Sequence, residues 1–267
     1  MHKKPEIICY GCGRGENPEN TIEAITHCHN IDPNWRIDID VQLTKDNEIV
    51  LFHDYNTKRR TGKDHDIFNL NLAEVQKLNA GYYFSRDNEF PYRDKPVRIP
   101  TLKNVLLKFP KSKFVLDIHT DNAKAINLIN EIINNFGANN DFIIVSHYDN
   151  VIKQFKQIQP NWVFGAGTKE VKKMVFSSFV FMDFLFPLKS DILLIPIQFN
   201  NIKLLTKRVL NHLKKRNKKI IVWKKEGATN DDVICIESKK EYYNLATQHI
   251  DGVYTEYPER FKIALSN

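Results

Sequence analysis

The segment 35–54 constrains the fold more than any other part of the sequence. It begins as a predicted strand in which β-branched residues alternate with Asp38, Asp40 and Gln42, so the two acids point to the same side. A second apolar run follows a polar turn and ends at His53. Two acids on a buried face need a partner, and a hard divalent cation is the simplest one. The alternative is an edge strand with both acids in solvent, since alternation does not reveal which face is buried.

The segment 114–119 repeats this arrangement, because Asp117 and His119 share one face of a predicted strand with apolar neighbours. The carboxyl ends of such strands carry the chemistry in a barrel or in an open α/β sheet. Together with Asp38 and Asp40 this gives three carboxylates, which suit Mg²⁺ or Ca²⁺ better than Zn²⁺. The alternative is three unrelated polar residues, but the repeated pattern favours a shared site.

Predicted strands and helices alternate along most of the chain, which indicates an α/β protein with a (β/α)8 TIM barrel. An open, doubly wound sheet is the alternative. Residues 55–113 interrupt the alternation after the third strand run and are predicted to form a small inserted subregion. The length and the apolar content of 42% suit one large domain, here taken as residues 1–267.

The net charge of +7 favours anionic partners such as phosphate esters. Much of the excess lies in the segment 203–225. Apolar residues at Ile202, Leu205, Val209 and Leu213 recur at helical spacing, which predicts a solvated amphipathic helix. No nucleic-acid motif accompanies this run, so a nucleic-acid partner is not expected.

The sequence shows neither a signal-peptide hydrophobic region nor an apolar run of the roughly 18 residues that a membrane span needs. We therefore expect a cytoplasmic protein. The longest apolar run, 174–188, is rich in phenylalanine and is interrupted by Asp183. Core packing is its expected role, and contact with a lipid surface is the weaker alternative. The cysteines form only one C-x-x-C pair, which is too few for a zinc site, so we expect reduced thiols.

A glycine-rich turn, 11–15, follows the first predicted strand and carries Arg14. Glycines allow the backbone to approach a ligand closely, and an arginine makes bidentate contacts to phosphate. The alternative is an ordinary turn arginine. The turn is neither a Walker loop nor a dinucleotide-binding fingerprint, because the residues and spacings that define those motifs are missing.

Taken together, the motifs resemble the glycerophosphodiester phosphodiesterase family of the phosphoinositide-phospholipase-C-like barrel superfamily. The resemblance extends over nearly the whole chain and keeps the family's order of motifs. It rests on Gly13-Arg14-Gly15 with Pro18-Glu19-Asn20-Thr21, Asp38 to Asp46, Val50 to Asp54, Leu78 to Phe84 with Ile99 to Leu102, Leu116 to His119, Trp223, and Asp251 to Thr255 with Pro258.

This resemblance implies a barrel enzyme of lipid metabolism that hydrolyses a small-molecule glycerophosphodiester. One divalent cation, Mg²⁺ or Ca²⁺, would be held by Asp38, Asp40 and Asp117, with two histidines as general base and general acid. Arg14 would contact the phosphate, and Trp223 would line the substrate side.

The sequence departs from the family pattern at several of these positions. Gly13 stands where the family has its first catalytic histidine, which leaves His53 as the surviving acid/base group. Asp38 and Asp117 replace glutamates, and His119 replaces a lysine. Loss of one acid/base group costs about 10²–10⁴ in rate. Two expectations remain: a retuned phosphodiesterase in which His119 restores a second imidazole, and a catalytically silent barrel that binds a metal and an anionic or glycerophospho ligand.

Overall fold

The computed structural model describes residues 4–199, 202–225 and 233–266. The strands are β1 (Glu6–Cys9), β2 (Arg36–Leu43), β3 (Ile49–Leu51), β4 (Lys113–Ile118), β5 (Asp141–Val145), β6 (Val163–Phe164), β7 (Ile192–Pro196), β8 (Gln198–Phe199), β9 (Ile202–Lys203), β10 (Lys219–Lys225), β11 (Val233–Ile234) and β12 (Gly252–Thr255). The helices are α1 (Ile22–Ile31), α2 (Lys58–Thr61), α3 (Leu72–Val75), α4 (Leu102–Lys108), α5 (Ala123–Phe136), α6 (Asp149–Ile158), α7 (Thr168–Phe179), α8 (Lys207–Lys214), α9 (Lys239–Thr247) and α10 (Pro258–Ser266).

Eight parallel strands form the wall of a nearly closed barrel, in the order β6-β5-β4-β2-β1-β12-β10-β7. The parallel bridge between Gly165 and Ile192 joins the two ends of this order. Two further strands are not part of the barrel wall: β3 pairs antiparallel with β2, and β11 pairs antiparallel with β10. Strands β8 and β9 pair with each other in a separate hairpin. The predicted (β/α)8 barrel is therefore confirmed, and the open doubly wound sheet is wrong.

Strand β2 lies between β1 and β4, and all eight of its residues are buried. The register places Asp38 beside Val115 and Asp40 beside Asp117 on β4. Side chains on neighbouring parallel strands at one register position point to the same side. The two acids of β2 are each only 5% exposed, so the interpretation of β2 as a solvent-facing edge strand is wrong.

Apolar side chains fill the barrel interior below the acids. This cluster contains Ile8, Val115, Ile143, Val145, Ile192, Ile221, Cys235 and Tyr254. Arg36 lies at the amino end of β2, where its guanidinium donates hydrogen bonds to the Asp141 carboxylate and the Phe114 carbonyl and ion-pairs with Glu6. These contacts engage the charged groups around Arg36 at the amino end of β2, whereas Asp38 and Asp40 lie further along the strand towards its carboxyl end.

Several helices begin at a residue whose side chain caps the first turn. The Thr21 hydroxyl accepts a hydrogen bond from the Ala24 amide at the start of α1. Thr206 caps the basic helix α8, which buries Val209 and Leu213 as the spacing predicts. The helix is shorter than the pattern indicates, because Ile202 lies in β9 and is exposed.

Residues 52–101 contain only short helices and build a small apolar cluster of their own beside β3. Helix α4, at the end of the predicted insertion 55–113, instead buries Leu102, Val105 and Leu106 in the main core. The side chains of α4 therefore belong to the barrel's outer layer.

The prediction of core packing for the segment 174–188 is wrong for most of its aromatic residues. Met174 and Leu188, near its two ends, are buried, but Phe176 and Phe181 are 69% and 70% exposed. Every helix in the described part of the chain is too short or too polar to cross a membrane.

Candidate active site

A cavity of about 780 Å³ opens at the carboxyl ends of the barrel strands. Its floor is built from Asp38, Asp40 and Asp117, with His53 and His119 beside them. One side is mainly apolar and is formed by Ala166, Val171, Val175, Phe176, Phe179, Leu194, Pro196, Phe199 and Leu204. Residues that sequence analysis selected from separate segments thus meet in one cavity.

The three carboxylates differ in how many of their oxygens are already engaged. Asp38 accepts a hydrogen bond from the Gly11 amide at 3.1 Å. Asp40 accepts one from the Asn20 side-chain Nδ2 at 2.7 Å, and the backbone N–H of Asp40 donates to the side-chain Oδ1 of Asn20 at 2.9 Å. Asp117 Oδ1 is buried and has no hydrogen-bond partner among the described residues. A buried carboxylate oxygen without a donor is the kind of group that a cation satisfies.

Burial and mutual repulsion perturb these acids strongly. Burial raises the pKa of Asp38 well above its usual value, and the nearby charges of Asp40 and Asp117 add to the effect. Burial also acts to raise the pKa of Asp40, but hydrogen bonding to His119 and the charges of His53 and His119 outweigh it, and the pKa falls to about 2. Positive charge at the centre of this cluster would relieve the repulsion between the carboxylates, and a divalent cation, which prefers carboxylate oxygens, would supply it.

His119 supplies positive charge at this point of the site. Its Nε2 lies 3.0 Å from Asp40 Oδ1 and 3.4 Å from Asp117 Oδ2. Burial acts to lower the pKa of His119, but the charges of the two carboxylates outweigh it and hold the pKa well above its usual value. Ligand atoms of Asp40, His53 and His119 lie within 4.8 Å of one another, a separation that one metal ion can span, whereas the predicted ligands Asp38 and Asp117 do not belong to this group.

Ionic contacts through Asp54 and Arg59 hold the His53 ring in one tautomer. Its Nδ1 lies 2.8 Å from Asp54 Oδ1, and Arg59 donates hydrogen bonds to both oxygens of Asp54. Burial opposes ionisation of Asp54, but its bonds to His53 and Arg59 keep its pKa well below the usual range. An ionised carboxylate only accepts, so Nδ1 carries the proton and Nε2 is left for proton transfer.

The pKa of His53 is also raised. Burial acts to lower it, but the hydrogen bond to Asp54 and the charge of Asp40 outweigh the burial. The rings of His53 and His119 lie 4.5 Å apart, centroid to centroid. The two imidazoles are therefore close enough to act on one bound group.

The two predicted substrate contacts differ in position. Trp223 lines the cavity edge-on to Tyr254, and its indole N–H is buried without an acceptor among the described residues. Arg14 does not line the cavity. Its guanidinium lies 4.5 Å from the centre of the Tyr10 ring, and its Nη2 lies 2.6 Å from Glu256 Oε1. Arg14 Nε and Nη2 both donate to Glu256 Oε1, so this carboxylate is the anion that Arg14 engages in the structure.

Gly13, the position that the resemblance assigns to the first catalytic histidine, does not line the cavity. Gly13 has φ 73°, and a Cβ on it would lie 2.8 Å from Pro258 Cγ and 3.1 Å from Cys28 Sγ. A side chain at this position would therefore enter packed protein. The residue of this segment that lines the cavity is Tyr10, directly after β1. Burial raises the pKa of its hydroxyl well above the usual value, so it remains neutral.

Sequence analysis also missed Asn20, which fixes Asp40, and His147, which lines the cavity. His147 follows the end of β5 with one residue between, and the strand-end pattern that drew attention to His53 could have identified it. Its ring lies 5.7 Å from that of His119, and burial lowers its pKa. A neutral third imidazole therefore borders the site.

The parallel barrel with acids and imidazoles at its carboxyl end defines a (β/α)8 barrel enzyme. The family model described as "Glycerophosphoryl diester phosphodiesterase family" matches residues 12–184, which is more than half of the chain. The chain belongs to this family.

Relatives of known name agree with this assignment. The chain is 25% identical to "Lysophospholipase D GDPD1" of Homo sapiens, over 97% of this chain and 86% of that protein. It is 24% identical to "Putative glycerophosphodiester phosphodiesterase YhdW" of Bacillus subtilis (strain 168), over 95% of each. These relatives confirm the prediction of a phosphodiesterase-type hydrolase.

Solved structures support the fold. The glycerophosphoryl diester phosphodiesterase domain of Rv2277c from Mycobacterium tuberculosis is similar with a TM-score of 0.76 and 16% identity, covering 98% of this chain and 99% of that one. The phosphodiesterase OLEI02445 from Oleispira antarctica, solved in complex with the product sn-glycerol-3-phosphate, has a TM-score of 0.73 and 20% identity, covering 99% and 98%.

Proposed function

We propose that this protein is a metal-dependent phosphodiesterase that hydrolyses a glycerophosphodiester. The observation that carries the proposal is the convergence of three carboxylates and His53 on one cavity at the carboxyl end of the barrel. The family assignment supports phosphodiester hydrolysis, and the names of two relatives, a lysophospholipase D and a glycerophosphodiester phosphodiesterase, support a glycerol-containing lipid derivative as the substrate.

Asp38, Asp40 and Asp117 would hold a Mg²⁺ or Ca²⁺ ion, for which carboxylate oxygens are the preferred donors. When bound, the cation would neutralise charge on the phosphoryl oxygens of the substrate. Asn20 keeps the Asp40 carboxylate in place through its two hydrogen bonds. Asp117 Oδ1 is buried and lacks a hydrogen-bond donor in the described part of the chain, which supports its assignment as a ligand.

His53 would transfer a proton at Nε2, since Asp54 holds the proton on Nδ1. A bound cation would share the charges of Asp40 and Asp117, which now face His119, and would leave less of their field to stabilise a proton on His119. His119 would then be a neutral imidazole near the phosphate, able to serve as the second acid/base group.

The rest of the cavity would select the substrate. Trp223 would pack against the glycerol side, and its indole N–H, which has no acceptor among the described residues, offers a donor to a substrate oxygen. The apolar wall would accept the alcohol portion of the ester. We propose glycerol phosphate as the product, because the similar Oleispira antarctica phosphodiesterase binds sn-glycerol-3-phosphate as its product. Arg14, which does not line the cavity and is paired with Glu256, would have to move towards the cavity to contact the phosphate.

A catalytically silent barrel is the second candidate, and the position of His119 favours it. Its imidazolium lies within ion-pairing distance of Asp40 and Asp117 and neutralises them without a metal. A site of this kind would bind an anionic or glycerophospho ligand and leave it uncleaved.

Turnover by the purified protein separates the two candidates. We expect Mg²⁺, Ca²⁺ or Mn²⁺ to support release of the alcohol from glycerophosphocholine, glycerophosphoethanolamine or lysophosphatidylcholine, and EDTA to abolish it. His53→Ala should lower kcat by about 10²–10⁴. The matched control is His65→Ala, because His65 is an exposed histidine outside the cavity. Saturable ligand binding without turnover under every metal would support the silent barrel instead.

A further inference from the structure

One surface beside the cavity mouth is unusual for a water-exposed part of a protein. The aromatic rim, defined as residues 176–186, exposes eight large apolar side chains by 44% to 70%. They are Phe176, Phe179, Val180, Phe181, Met182, Phe184, Leu185 and Phe186. Contiguous exposed apolar patches of this kind mark interaction surfaces.

The only charged residue of the aromatic rim is turned inward. Asp183 is 6% exposed, and its carboxylate accepts hydrogen bonds from Arg208 and ion-pairs with His212 at 2.7 Å. The Arg208 guanidinium also lies 4.6 Å from the centre of the Phe181 ring. The segment therefore directs its apolar groups to the outside and its acid to the inside, the reverse of an ordinary surface loop.

Positive charge flanks the aromatic rim. Lys169, Lys172 and Lys173 are exposed on α7, and Lys189 is exposed just after the rim. The acid of this helix, Glu170, is engaged by the backbone N–H groups of residues 189 and 190 and by the Ser190 hydroxyl. Apolar residues beside lysines are the combination that binds an anionic lipid surface.

The aromatic rim is continuous with the candidate active site. Phe176 and Phe179 belong to the rim and also line the cavity. The apolar wall continues inward from them through Val175 and Val171, towards the strand ends that carry the acids. An amphiphile lying in a membrane next to the rim would meet the cavity without crossing bulk water.

We propose that the aromatic rim docks on the surface of an anionic phospholipid membrane, with Phe181, Phe184 and Leu185 entering the interface and the lysines contacting the headgroups. Docking would hold the cavity mouth against the lipid surface. A second copy of this chain seated on the rim is the competing occupant, and the experiment below separates the two.

The test is co-sedimentation of the full chain with phosphatidylcholine vesicles that contain about 30% phosphatidylserine. Wild-type protein should bind these vesicles, and it should bind phosphatidylcholine-only vesicles and high-salt mixtures several-fold more weakly, because the headgroup attraction is electrostatic. The double variant Phe184→Ser/Leu185→Ser should lower the partition coefficient by about tenfold or more, since both side chains are removed from the apolar contact.

The matched control is Leu107→Ser/Ile263→Ser, which removes a similar exposed apolar area from α4 and α10. It should bind vesicles as the wild type does. In a second measurement, Phe184→Trp should give a blue-shifted emission on vesicle addition and quenching by brominated lipid. Thermal melting checks that each variant is folded.

Two results would overturn the proposal. The first is vesicle binding that is equal in wild type and rim variant, with no emission shift from Trp at position 184. The second is concentration-dependent dimerisation in sedimentation velocity that the rim variant abolishes, without vesicle binding. Both measurements are independent of turnover. Hydrolysis of soluble glycerophosphocholine, which should be unchanged in the rim variant, tests the proposed function separately.

Discussion

Asp54→Asn tests whether His53 transfers protons in the way its contacts indicate. Asp54 accepts a hydrogen bond from the His53 ring on one carboxylate oxygen and hydrogen bonds from Arg59 on both. An asparagine of the same size offers one oxygen, so its amide nitrogen must face either a donor of Arg59 or the His53 ring. If the oxygen stays with Arg59 Nε, the amide N–H faces Nδ1 and moves the ring proton to Nε2.

The expected cost follows from this change of tautomer. A His53 that is protonated at Nε2 cannot act as a base there, and general acid/base catalysis contributes about 10²–10⁴ in rate. We therefore expect kcat/KM for a glycerophosphodiester to fall by about 10², or about 2.7 kcal/mol of transition-state stabilisation at 1.36 kcal/mol per tenfold. The fold should remain intact, because the Asp54 side chain is only half-buried.

The pH profile gives a second readout of the same variant. Asp54 raises the pKa of His53, so loss of its charge lowers that pKa. The base form of His53 then persists to lower pH, and the acid limb of residual kcat/KM should move to lower pH. Asp64→Asn is the control, since Asp64 is an exposed acid of the same segment. Activity within twofold of wild type and an unmoved acid limb would refute the reasoning.

Two further predictions concern stability, each measured by urea unfolding. Gly13→Ala should lower the free energy of unfolding by about 2–4 kcal/mol, because φ 73° disfavours a Cβ and Pro258 Cγ would lie 2.8 Å from it. Gly62→Ala should lower it by only about 1–2 kcal/mol, because Gly62 also has φ 73° but its nearest neighbours would lie 3.2 Å from a Cβ. Equal losses in the two variants would contradict the packing argument. Burial raises the pKa of Glu237 to about 7 from 4.5, so the folded chain holds a proton that the unfolded chain has released, and stability falls as pH rises through this window. Glu237→Gln should remove this fall, so the unfolding free energy of the variant relative to the wild type should rise by about 2 kcal/mol between about pH 5 and pH 8. A difference between variant and wild type that is the same at every pH would exclude Glu237 as the source of the fall.

The acids were predictable from sequence because strand alternation is a local property. Asp38 and Asp40 share a face in any strand, and the repeated pattern at Asp117 indicates a neighbouring strand of the same sheet. The regular strand–helix alternation predicted a barrel, in which the carboxyl ends of the strands meet, and the structure adds the register that sets Asp40 beside Asp117.

The turn after β1 was not predictable in the same way. Gly11, Cys12 and Gly13 have φ values of 50°, 61° and 73°, so three successive residues are left-handed and the chain reverses tightly. Motif spacing does not encode such a path. Consequently the sequence pattern selected Gly13, whereas the backbone brings Tyr10 to the cavity.

The exposure of the aromatic rim was missed for a different reason. Hydrophobic composition alone predicts that a segment is buried, because large apolar side chains are most often found in the core. Here the bonds from Asp183 to Arg208 and His212 fix the one acid inside, and the backbone then directs Phe181 and Phe184 outward. Such long-range pairings lie 25 and 29 residues apart and leave no local signal.

The central claim is that Asp38, Asp40 and Asp117 hold one divalent cation. Isothermal titration of the purified chain with Mg²⁺, Ca²⁺ and Mn²⁺ measures it directly, with Asn replacing each acid in turn. We predict binding of a single ion by the wild type and a loss of about tenfold to a hundredfold or more in affinity for each variant. Asp121→Asn, which changes an exposed acid outside the cavity, should leave the affinity unchanged. Wild-type affinity in the three site variants, or no binding of any of the three ions by the wild type, would contradict the account.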